Sequence, residues 1–121
     1  MLIGIDLDNT IINYDKVFFS VAIKNKLVPK NISKNKISIK KYLFKKKLTK
    51  KWKVLQSEVY GKNISEAIPY KGILKVINEL VEKKINFKIV SHKTKNPYVG
   101  KKLNLHKISK KWLKEKITKL C

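Results

Sequence analysis

The sequence predicts an α/β fold built on a parallel sheet, and three observations carry that prediction. The chain opens on an apolar, β-branched run, Leu2-Ile3-Gly4-Ile5, that reaches Asp6. A second short apolar run, Phe87-Lys88-Ile89-Val90, ends at Ser91. Between them lie segments with helical spacing, the strongest being Ile73, Val76, Ile77, Leu80 and Val81. Two strands joined through helices form a crossover, which makes them parallel and puts both carboxyl ends on the same side of the sheet. At 121 residues the chain has room for one core.

The first run has no polar residue before its end, which is how an interior strand buried on both faces reads. After Thr10 and the pair Ile11-Ile12, a helix is expected to begin near Asp15, with Val17, Phe18, Val21 and Ala22 on one face and Asn13 or Asp15 as its cap. Residues 24–53 are lysine-rich and weakly periodic; their polar stretch 31–36 reads as a loop. A further helix is expected from Thr49, with Trp52, Leu55 and Val59 along one face and Gly61 just past its end. Pro69 and Gly72 mark a boundary before the helix of 73–81, which should pack on the sheet. After the strand at 87–90, a loop holding Pro97 and Gly100 leads to a last helix expected near Asn104, its cap, with Leu105, Ile108, Trp112 and Ile117 on one face. The expected organisation is a core of residues 1–14 and 69–121 with a mostly helical insertion at 15–68.

The formal charge of +22 is the most unusual bulk property. Such a charge attracts polyanions, but all thirty basic residues are lysine, and arginine is the residue that grips phosphate and guanine bidentately. Abundant lysine, isoleucine and asparagine are also what an A+T-rich coding sequence produces, so nucleic acid is not the expected partner. No apolar run approaches the roughly 18 residues of a membrane span, and the start lacks the features of a secretory signal. The single cysteine, Cys121, can form no disulfide within the chain, so a soluble protein of the reducing cytoplasm is expected.

The chemistry is concentrated in Asp6-Leu7-Asp8-Asn9-Thr10, two carboxylates one residue apart at a strand end, where α/β sheets bind ligands. Two such groups at one rim invite a divalent cation, and one can serve as nucleophile while the other moves protons. A plain Asx-type turn uses the same residue types. Against that reading, every aspartate of this lysine-dominated chain lies between positions 6 and 15.

Asp6-x-Asp8-x-Thr10 after an apolar strand resembles the first motif of the haloacid-dehalogenase-like hydrolases, and Ser91 at the end of 87–90 looks like their second. The helical stretch between them resembles the cap of the class in which the cap follows the first strand. The resemblance implies a Rossmann-like sheet with an inserted helical cap and Mg²⁺-dependent phosphoryl transfer on a small phosphorylated metabolite. Asp6 would be nucleophile and metal ligand. Asp8 would be acid and base, its carbonyl a second metal position. Thr10 and Ser91 would hold the phosphoryl oxygens, with His92 and Lys93 beside them.

Two further family motifs, a phosphate-neutralising lysine and an acidic metal-binding pair, have no match. Lys93 or Lys95 is the available substitute for the lysine, and Glu115, the last acidic residue, falls within a predicted helix. A truncated sheet with impaired activity is therefore expected, the chain being a gene fragment, an interrupted reading frame, or one piece completed by another polypeptide or a second copy, with a catalytically inactive remnant as the alternative reading. A third reading comes from 40–53, where eight lysines surround Tyr42, Phe44 and Trp52: either a surface for single-stranded nucleic acid or a solvated helical face. His106 and Trp112, in the last helix, have no evident chemistry.

Overall fold

β-Branched residues at alternating positions extend the chain from its start, and in the computed structural model, which describes residues 2–91 and 105–117, strand β1 (Leu2–Asp6) is followed by a two-residue strand β2 (Ile12–Asn13). Helices α1 (Asp15–Lys24), α2 (Lys36–Lys45) and α3 (Thr49–Tyr60) come next, then a 3₁₀ turn (Ile64–Glu66) and the short strand β3 (Ile68–Pro69). Helix α4 (Ile73–Glu82), strand β4 (Asn86–Val90) and helix α5 (Leu105–Lys116) complete a mixed α/β architecture. None of the described helices is long and apolar enough to cross a membrane.

Strands β1 and β4 pair in parallel, with Leu2 opposite Asn86 and Asp6 opposite Val90. The crossover expected from the strand, helix, strand order is therefore present. Burial of β1 on both faces is not. Leu2 is 63% exposed, and Gly4, Asn86 and Lys88 are exposed beside it. Ile5, Phe87 and Ile89, on the opposite face, pack against the core. The reason is that the core packs on one face only of this two-stranded sheet and leaves the other to solvent. Lys88 alternating with Phe87 and Ile89 signals that one-sided burial.

Helices α1, α2 and α3 pack together around aromatic contacts. The rings of Phe18 and Trp52 stack at 5.2 Å, and Tyr14 and Tyr60 meet edge to face at 4.8 Å. Ile39 and Leu43 of α2 and Leu55 and Val59 of α3 are wholly buried, each such side chain contributing about 1.5–3 kcal/mol. Helix α2 was not expected as an element. Asn35 starts it, its side chain accepting from the Ser38 backbone N–H at 2.8 Å, so the polar stretch read as a loop carries a helix cap at its end. For α1 neither expected residue holds the cap position: Tyr14 does, without a side-chain cap bond, and Asn13, one residue earlier, accepts from the Asp15 N–H at 3.0 Å.

Strands β2 and β3 form an antiparallel pair, Ile12 opposite Pro69 and Asn13 opposite Ile68, and the Tyr70 N–H continues it by donating to the Ile11 carbonyl at 2.9 Å. The chain thus enters and leaves the three-helix layer through adjacent strands. Of the α4 stripe only Ile77 is fully buried, and Val76 and Val81 remain about half exposed. Helix α5 is held by Trp112, whose buried indole N–H donates to the Ala67 carbonyl at 3.0 Å.

Candidate functional site

Beyond Asp6 the β1 ladder extends by one bond, the Leu7 N–H donating to the Val90 carbonyl at 2.9 Å. The chain then turns sharply. The Leu7 carbonyl accepts from the N–H groups of Thr10, Ile11 and Ile12 at 3.4, 2.9 and 3.0 Å. Asn9 takes the left-handed conformation at the apex (φ 64°), which asparagine tolerates better than most residues. Buried Leu7, Ile11 and Ile12 anchor this turn in the core, and Asn9 and Thr10 are left exposed at the rim.

This turn brings the predicted site residues together. The Thr10 hydroxyl donates to Asp6 Oδ2 at 3.1 Å. Ser91, one residue beyond β4, donates from Oγ to Asp8 Oδ2 at 3.3 Å. Asp6, Asp8, Thr10 and Ser91 therefore share one rim, at the carboxyl ends of the parallel strands. His92 and Lys93, with Lys95, Pro97, Gly100 and Asn104, lie outside the described residues.

Tyr14 is a participant that the sequence did not single out. Its ring is fully buried against Tyr60, and its hydroxyl donates to Asp8 Oδ1 at 2.5 Å. Both carboxylate oxygens of Asp8 thus receive a hydroxyl, one from the start of the helical layer and one from the end of β4. Burial, the charge of Asp8 and the hydrogen bond to it all push the Tyr14 phenol well above its ordinary range, so it stays a proton donor at any physiological pH. Nothing in periodicity distinguishes this buried tyrosine from a plain core residue.

Asp15 joins the helical layer at a second point. Its carboxylate accepts from the Lys36 backbone N–H at 2.9 Å, fixing the start of α2 against the start of α1. Lys36 in turn donates through Nζ to the Tyr60 hydroxyl at 2.8 Å. A cleft of about 850 Å³ opens between Asn9 of the turn, Asp15, the α2 face bearing Lys40 and Lys41, and Tyr70. Burial raises the Tyr70 phenol, and the negative charge of Asp15 adds to that shift.

For a divalent cation, the resemblance assigns the Asp6 carboxylate and the Asp8 backbone carbonyl, and of these the Asp6 carboxylate stands at the rim with its Oδ2 accepting from Thr10. Among the described residues no group of three or more acidic, histidine or cysteine side chains gathers anywhere, and Asp15 is turned to α2. Two protein oxygens suit the mode in which Mg²⁺ keeps several waters and is held jointly with a substrate phosphate. Glu115, on α5, lines a different depression with Lys62, Lys111 and Trp112.

Comparison with protein families, curated proteins and solved structures finds no match to this chain.

Proposed function

We propose that the chain is a phosphohydrolase of the haloacid-dehalogenase-like kind, with a Rossmann-like core, a helical cap formed by α1, α2 and α3, and Mg²⁺ held by Asp6 and Asp8. The observation that carries this reading is the meeting of Asp6, Asp8, Thr10 and Ser91 at one sheet rim, with hydroxyl-to-carboxylate bonds of 3.1 and 3.3 Å among them. Residues far apart in the chain converge where α/β sheets bind ligands.

In this reading an Asp6 carboxylate oxygen attacks phosphorus, the P–O ester bond breaks, and the leaving oxygen takes a proton from Asp8. Water then attacks the aspartyl-phosphate, giving its proton to Asp8 and releasing inorganic phosphate. Thr10 and Ser91 supply hydroxyls for the phosphoryl oxygens. The Ser91 bond to Asp8 is at the long end for two oxygens, so an arriving phosphate can compete for that hydrogen. Tyr14 keeps Asp8 oriented throughout. Bound Mg²⁺ supplies charge neutralisation at the phosphate.

The test is Mg²⁺-dependent release of phosphate from p-nitrophenyl phosphate by the wild-type chain, lost in Asp6→Asn while the circular dichroism spectrum is unchanged. Turnover that survives Asp6→Asn refutes the assignment. A second reading is favoured by the absence of a third acidic ligand among the described residues: a site that binds phosphate compounds without hydrolysing them. It predicts saturable phosphate binding by a folded wild-type protein that shows no turnover.

A further inference from the structure

The cleft beside the Asp6 rim is lined by one stripe of α2, and that stripe has an unusual make-up. Ile37, Lys40, Lys41 and Phe44 fall at i, i+3, i+4 and i+7, so they share one helix face, while Ile39 and Leu43 turn inward to the core. Ile37 is 66% exposed and Phe44 46% exposed. Large apolar side chains left in solvent next to a cleft are a signal, because α2 has buried positions on its other face in which they would be stabilised. The two lysines sit between them, and the Lys40 ammonium lies 5.4 Å from the centre of the Phe44 ring. The opposite walls provide the Asn9 amide, the Asp15 carboxylate and the Tyr70 ring.

We infer that this cleft binds a nucleoside phosphate, with the base on the Phe44 and Ile37 surface, Lys40 and Lys41 against the phosphate charge, and the phosphorus directed past Asn9 to the Asp6 rim. The inference rests on the phosphohydrolase reading for that last direction and names its substrate class. Three features converge on it. The volume of about 850 Å³ lies within the roughly 300–1,000 Å³ of small-ligand sites. An exposed ring with an adjacent ammonium suits a planar base joined to an anion. The polar groups opposite, Asn9 and Asp15, can hydrogen-bond sugar hydroxyls or a base edge. A sugar phosphate without a base would leave Phe44 and Ile37 with nothing to cover them.

Isothermal titration of the full chain carrying Asp6→Asn, with AMP and with ribose 5-phosphate, separates these cases, because the two probes carry equal charge and differ in the base. AMP is expected to bind about tenfold or more tightly, the range that one stacked base provides. Phe44→Ala should bring AMP to the ribose 5-phosphate value, and Phe44→Leu should fall between. Lys40→Ala with Lys41→Ala should weaken both probes together. Equal affinities for the two probes overturn the inference, as does an AMP affinity indifferent to Phe44→Ala. An oligothymidylate that binds more tightly than AMP and is not displaced by it also overturns it, in favour of a strand-binding surface. The readout needs no turnover, so failure of p-nitrophenyl phosphate hydrolysis would remove the catalytic reading and leave the binding result standing.

Discussion

Replacing Tyr14 by phenylalanine removes one oxygen and leaves the ring that packs on Tyr60 in place. At pH 7 the cost is one buried hydrogen bond to a carboxylate, about 1.5–3 kcal/mol. The alkaline limb is more informative. The folded-state phenol is raised above its unfolded value of about 10. The stability that this group contributes is therefore fully present below pH 10. Above that, the unfolded chain releases the tyrosine proton and the folded one retains it, so stability falls with pH by about 1.4 kcal/mol per unit. By pH 11.5 the wild type should have lost about 2 kcal/mol that Tyr14→Phe, with no such group, does not lose. Titration of the lysines is common to both proteins and cancels in the difference. Urea unfolding followed by the fluorescence of Trp52 and Trp112 at intervals from pH 8 to 11.5 measures it. The two stability curves should converge as pH rises. A gap that stays constant, or widens, refutes a buried Tyr14 hydroxyl bonded to Asp8.

Asp15→Ala removes the acceptor for the Lys36 N–H at the start of α2 and should cost about 1 kcal/mol, seen as a thermal midpoint lowered by about 4 °C. The contrast between two glycines tests the backbone. Gly72 sits at φ 88° with open space around its Cα, so Gly72→Ala should destabilise by about 1–2 kcal/mol through conformation alone. Gly4 lies in β1, where an added Cβ meets Val90 Cγ2 at an ordinary 3.8 Å, so Gly4→Ala should stabilise by about 0.5–1 kcal/mol in the same urea assay.

The elements with a clean apolar period were legible in the sequence. Val17, Phe18, Val21 and Ala22 gave α1, and Trp52, Leu55 and Val59 gave α3, because a helix buries one stripe and its residues recur accordingly. Helix α2 was obscured because two of its apolar residues, Ile37 and Phe44, face the cleft instead of the core, which broadens the stripe beyond recognition. The meeting of the rim residues was legible, since aspartates clustered at a strand end in a lysine-rich chain stand out. Their partners were less so. Ser91 was found because it ends a strand, whereas Tyr14 has the pattern of any core aromatic and only the turn at 7–12 aims its hydroxyl at Asp8. The exposure of Leu2 was missed because a continuous apolar run reads as covered on both faces, and here the core packs on one face alone.

The antiparallel pairing of β2 with β3 has a bearing on how such a chain can change. An excursion whose two ends are tied to each other presents the same pair of attachment points whatever its length, and closure entropy rises only slowly as residues are added. Insertions in the exposed bend around Pro29 and Lys30 would therefore leave the register of β1 on β4 untouched. Changes in length can accumulate there without being transmitted to the rim where the two aspartates stand.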